Sequence, residues 1–166
     1  MNCKAETLFL GFGANLDDPI YSVRCAIQRI GDMEGIDLVQ SSHLYRTEPL
    51  IDKEQPDFIN AVAEYRTNRS PYDILKIIHS VEKEFGRYRD PARRYGPRTL
   101  DIDIIFLGNR LLDDELLTIP HKEFSRRKFV LEPMGEIALN YTVPGTDKTI
   151  RDLLNECPDQ SKVEKI

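Results

Sequence analysis

The chain has 166 residues and a formal charge of −5, with 40% hydrophobic and 31% charged residues. That length suits one domain over 1–166 with a core large enough to need no metal or disulfide staple, and the composition is globular rather than disordered. The acidic balance argues against a general nucleic-acid or anionic-membrane binder, and apolar runs such as Ile104-Ile105-Phe106-Leu107 fall far short of the ~18 residues of a membrane span.

The first residues, Met1-Asn2-Cys3-Lys4-Ala5-Glu6, carry no apolar signal core. Three cysteines (Cys3, Cys25 and Cys157) are an odd number without C-x-x-C spacing, so neither a disulfide frame nor a zinc site is expected. A reducing cytoplasm is the expected compartment. Thr7–Phe12 reads as an apolar strand stopping at glycines. Asp18 and Pro19 form an N-cap and first-turn pair, and Ile20, Val23, Ile27 and Ile30 predict an amphipathic helix over 19–30. Residues 36–46 and 57–66 predict two strands joined by a ten-residue loop, 47–56. Ser70, Pro71 and Asp73 open a second helix, with Ile74, Leu75, Ile78, Val81 and Phe85 as its apolar stripe and Gly86 as its stop. A polar, Arg-rich stretch and a strand over 100–107 follow. This order is the split βαβ pattern of a ferredoxin-like α+β sandwich, an antiparallel sheet covered on one face by two helices. Residues 108–166 add a hairpin-like segment, short helical pieces and a last helix over 149–156.

The strand Leu100-Asp101-Ile102-Asp103-Ile104-Ile105-Phe106 puts Asp101 and Asp103 on one face and Ile102, Ile104 and Phe106 on the other. Their Cα atoms lie ~6.6 Å apart at the usual strand rise. Paired carboxylates repel, and a divalent cation such as Mg²⁺ relieves that repulsion while keeping water and phosphate as its other ligands. An exposed, solvated edge face is the plainer reading of such a pair. The preceding segment, 87–98, holds five arginines against one aspartate, a local charge of +4. Gly86, Pro91, Gly96 and Pro97 make it a loop. Guanidinium forks bind phosphates, so an Arg-rich loop beside paired carboxylates points to a nucleotide polyphosphate with Mg²⁺. Downstream, His121 and Arg127 could also reach a phosphate. The chain has no P-loop, and Gly11-Phe12-Gly13-Ala14-Asn15-Leu16 lacks the third glycine of a dinucleotide fingerprint. Two further readings stand beside this one: another metal-dependent phosphoryl transferase, and an RNA-binding sheet, which the acidic balance disfavours.

Five segments in order resemble the 6-hydroxymethyl-7,8-dihydropterin pyrophosphokinase family: Gly13–Leu16, Tyr45–Leu50, Gln55–Asn60, Gly96–Asp103 and Pro120-His121. The resemblance implies transfer of pyrophosphate from ATP to the pterin hydroxymethyl oxygen, in folate biosynthesis, with two Mg²⁺ ions. It implies Asp101 and Asp103 as magnesium ligands and Arg87 and Arg98 as catalytic-loop arginines. It implies Glu82, Arg89, Thr118, His121 and Arg127 at the ATP. Thr47, Leu50, Phe58, Asn60 and Phe129 are implied at the pterin, with the two aromatics sandwiching the ring. Phe58 departs from the tyrosine often found there, and Tyr95 from a tryptophan. The expected partners are the two small substrates, without nucleic acid or membrane, and the expected state is a monomer.

Overall fold

A computed structural model of the chain describes residues 4–88 and 91–166. Strands β1 (Glu6–Ala14), β2 (Ile36–Ser41), β3 (Tyr45–Thr47), β4 (Phe58–Thr67) and β5 (Asp101–Leu107) form an antiparallel sheet in the order β5-β1-β4-β3, with β2 also on β4. Helix α1 (Pro19–Gly31) follows β1, and α2 (Pro71–Glu84) follows β4. That is the ferredoxin-like arrangement.

Both helices start as their sequences dictate. The Asp18 carboxylate accepts from Tyr21 N, and Ser70 Oγ accepts from Asp73 N, each with proline in the first turn. Gly86 ends α2 at φ +76°, where a side chain would be strained, and Arg87 N donates back to Glu82 O at 3.0 Å. The apolar stripes of α1 and α2 pack on one sheet face against Leu8, Leu10, Phe12, Ala61, Ala63, Tyr65, Ile102 and Ile104.

The structure corrects three expectations and adds one strand. The strand expected over 36–46 breaks at 42–44, because Ser42 Oγ takes the Val62 N–H at 3.0 Å and interrupts the ladder. Phe106 lies on the same face as the two aspartates, not opposite them. The β1–β5 register shifts between Phe9 and Leu10, so Ile105 and Phe106 both turn to the second face. That second face is not bare. Helices α3 (Lys128–Ala138) and α4 (Ile150–Glu156) cover part of it through Leu131, Met134 and Ile150 packed on Phe9, Val62 and Phe106. Finally, a short strand β8 (Val163–Lys165) pairs with β3 at the sheet edge. A two-stranded ribbon, β6 (Leu112–Asp113) with β7 (Thr118–Ile119), matches the expected hairpin, and Thr149 and Asp152 cap α4 reciprocally.

Candidate active site

The part of the second sheet face that α3 and α4 leave open floors a cavity of about 810 Å³. Three adjacent strands supply the floor. Gly13 of β1 stands in register between Asn60 of β4 and Asp101 of β5, and Gly11 between Val62 and Asp103. Glycine at 13 leaves room for its neighbour, since a Cβ there would sit 2.8 Å from Asn60 Oδ1. The walls come from loop 48–57, from the Arg-rich segment and from residues 121–130.

The two aspartates differ in company. Asp101 is bracketed by arginines, with Arg87 Nη1 donating to Oδ1 at 2.6 Å and Arg98 Nη1 to Oδ2 at 2.7 Å. Arg87 also donates to Leu100 O at 2.8 Å, while its buried Nε has no hydrogen-bond partner among the described residues. Asp103 faces His121 Nε2 at 3.8 Å. Burial, and then the Asp101 charge, push the Asp103 carboxyl up to about 7. Its side chain keeps 44% of its surface open to the cavity, so water there moderates the rise. Burial and the Arg127 charge push His121 down, towards the neutral form. His121 Nδ1 accepts from Glu123 N at 3.1 Å, which assigns the ring proton to Nε2 on the Asp103 side.

At the other end Asn60 Nδ2 donates to Thr47 Oγ1 at 2.8 Å. Phe58 carries the Arg98 guanidinium 5.4 Å from its ring centre, and Phe129 carries that of Arg127 at 5.8 Å. One polar group ties the loops together. Buried Asn15 donates to Gln55 Oε1 and Pro56 O at 2.9 Å and accepts Arg98 N at 2.9 Å. Gln55 Nε2 in turn donates to Tyr95 O at 2.9 Å.

Of the expected positions, Arg87, Arg98, Asp101, Asp103, His121, Arg127, Thr47, Leu50, Phe58, Asn60 and Phe129 line this one cavity. Glu82 and Thr118 do not. Glu82 is buried beneath β5, where Oε1 accepts Ile102 N at 2.9 Å and lies 3.8 Å from Arg87. Thr118 sits on the ribbon and donates to Asp113 Oδ1 at 3.0 Å. Arg89 lies outside the described residues. Asn15 and Gln55 had no role in the sequence reading, although both fall in segments that carry the resemblance. Lys122 and Arg126 also line the cavity unforeseen, and the run Arg126-Arg127-Lys128 was the available signal.

The sequence model of the 7,8-dihydro-6-hydroxymethylpterin-pyrophosphokinase family matches residues 9–139. The chain belongs to this family. It is 36% identical over 158 residues to the 2-amino-4-hydroxy-6-hydroxymethyldihydropteridine pyrophosphokinase of Haemophilus influenzae, covering 95% of this chain and 97% of the relative. The protein of the same name from Pseudomonas aeruginosa is 37% identical over 153 residues, 92% of this chain and 93% of the relative. Among solved structures, the wild-type HPPK-DHPS of Plasmodium falciparum with STZ-DHP superposes with a TM-score of 0.70 at 16% identity, which speaks to the fold alone. That match covers 93% of this chain, which spans 42% of the Plasmodium chain's length. No helix among the described residues is long and apolar enough to cross a membrane.

Proposed function

We infer that the chain transfers the pyrophosphoryl group of ATP to the hydroxymethyl oxygen of 6-hydroxymethyl-7,8-dihydropterin, and that the cavity on the second sheet face is where it does so. The observation that carries the reading is the meeting of two half-sites in one cavity. A carboxylate pair with arginines, suited to a polyphosphate, shares the cavity with a buried amide and two aromatic side chains, suited to a flat heterocycle.

The hydroxyl oxygen attacks the β-phosphorus, the bond from that phosphorus to the α,β-bridging oxygen breaks, AMP leaves and the hydroxyl proton passes to water. Little covalent work falls to the protein, so placement and charge carry the catalysis. Asn60, held by Thr47, reads the polar edge of the pterin, and Phe58 and Phe129 hold its faces, which fixes the hydroxymethyl group over the floor. Arg87 and Arg98 supply positive charge to the oxygens between the α- and β-phosphorus atoms, where charge builds. Neutral His121 donates from Nε2 and Arg127 contributes its charge, both to phosphate oxygens.

The donors also suit Mg²⁺. No cluster of three or more His, Cys, Asp or Glu side chains is built for a metal among the described residues. Two carboxylates on one face are what an ion needs that completes its shell with water and phosphate oxygens. Asp103 is held towards its neutral form by burial and by Asp101, which a nearby cation would relieve. Asp101 and Asp103 are thus the residues to hold Mg²⁺, two ions by the resemblance. Bound there, Mg²⁺ supplies charge neutralisation to the triphosphate.

The test is direct. The chain is incubated with ATP, Mg²⁺ and the hydroxymethyl dihydropterin, and AMP is separated chromatographically. AMP in step with pterin diphosphate is expected; ADP, or no turnover on authentic substrate, would end the reading.

A further inference from the structure

The family match stops at residue 139, yet residues 157–166 run back to two elements that carry cavity-lining residues, α3 and β3. Helix α3 begins at Lys128, flanked by Arg127 and Phe129, which both line the cavity. Its N-terminus is poorly served locally, because Arg127 in the cap position makes no side-chain cap bond. The missing acceptor comes from 31 residues away: Asp159 Oδ2 accepts Lys128 N at 2.9 Å. Asp159 Oδ1 accepts Ser161 N at 2.8 Å, which holds the turn from which the chain continues.

The segment then reaches β3, whose Thr47 also lines the cavity. In β8, Val163 pairs with Thr47 of β3, and Ile166 N donates to Leu44 O at 2.9 Å. Thr47 is the hydroxyl that accepts from Asn60. One short stretch of chain therefore joins the start of α3, which carries Phe129, to the strand that fixes Asn60. The segment adds little to the two cores; its one side chain packed against either is that of Cys157.

We propose that residues 157–166 are a strap that sets the spacing across the pterin end of the cavity, with Asp159 as its positioning residue. This rests on the reading of that cavity as the pterin site. Without the Asp159 acceptor the first turn of α3 frays, and the incoming heterocycle must order Phe129 itself, at a cost in affinity.

The experiment measures pterin affinity by fluorescence, with Mg²⁺ and a non-hydrolysable ATP analogue present. It compares the full chain, Asp159→Ala, Asp159→Asn and a chain ending at Glu156, with a thermal melt of each. Loss of a cap predicts a rise of about five- to tenfold in pterin Kd for Asp159→Ala. Asp159→Asn keeps an acceptor oxygen and should stay within about twofold of the parent chain. The shortened chain should bind more weakly than Asp159→Ala while keeping a cooperative melt; if it does not fold, the two Asp159 variants still decide. Asp159→Ala with unchanged pterin affinity, whether or not its melting point falls, overturns the strap alone. Equal weakening by Ala and Asn also overturns it. A parent chain that binds no pterin removes the strap together with the functional reading.

Discussion

Asp101 and Asp103 differ by two positions on one strand and sit in opposite electrostatic settings. Arginines satisfy Asp101, whereas Asp103 is pushed up to about 7 by burial and by its neighbour. An aspartate in the unfolded chain titrates at ~3.9. Between those values the folded chain holds the proton more tightly than the unfolded chain does. The unfavourable charge of Asp103 thus appears as pH rises through about 7, and stability falls in that direction. Asp103→Asn removes the charge. Without Mg²⁺ it should raise the melting point at pH 8 by about 2–4 °C, screened as it is by cavity water, and by roughly a third as much at pH 5, where only part of the loss has accrued. Equal effects at the two pH values would refute the assignment. Mg²⁺ should stabilise the parent chain more at pH 8 than at pH 5, because protons compete for the same carboxyl. Asp101→Ala leaves two guanidinium groups without their shared partner and should abolish AMP formation even at saturating Mg²⁺; a near-normal rate would show that the carboxylate is dispensable.

At the scale of elements, α2 is tied to β5 by one buried carboxylate. Glu82 Oε1 takes the Ile102 N–H, which faces outward from the edge strand. Glu82→Ala strands that buried donor and should lower stability by ~1–3 kcal/mol in urea unfolding. The KM for ATP should change less than the stability does, against the sequence expectation of a direct ATP contact. Gly13 tests the floor. Gly13→Ala drives a methyl towards Asn60 Oδ1 and must displace the amide from Thr47. The KM for pterin should rise ~10-fold, the worth of one disturbed polar contact, with a normal melt; an unchanged KM would mean that Asn60 does not read the pterin. Elements with local signals were legible in sequence. The Asp18 and Ser70 caps, the stop at Gly86 and the alternation that pairs Asp101 with Asp103 all stand where the residues put them. Helix α3 was not legible, because its N-terminal acceptor lies 31 residues downstream and Pro133 interrupts its interior. The bulge that turns Phe106 to the second face was equally hidden. It arises from pairing with β1, not from any residue within β5.

For the whole molecule, the distribution of charge matters more than its sum. The chain carries −5, yet among the described residues six cationic and four acidic side chains line the cavity, a local balance of +2. A concave basic site in an acidic body attracts a compact polyanion and repels an extended one. Three of those cations, Arg94, Lys122 and Arg126, stand outside every role the resemblance implied. The two substrates should consequently respond differently to salt. The Debye length shrinks from about 10 Å at 0.1 M to about 3 Å at 1 M, which screens long-range attraction and leaves stacking and short hydrogen bonds in place. Titration of the nucleotide over that range should lose roughly tenfold in affinity, while the uncharged pterin should move by less than about twofold. Lys122→Ala combined with Arg126→Ala should flatten the nucleotide's salt dependence and leave pterin affinity untouched. If both ligands weakened in parallel, salt would be loosening the fold, and the gathered charge would have no part in choosing the substrate.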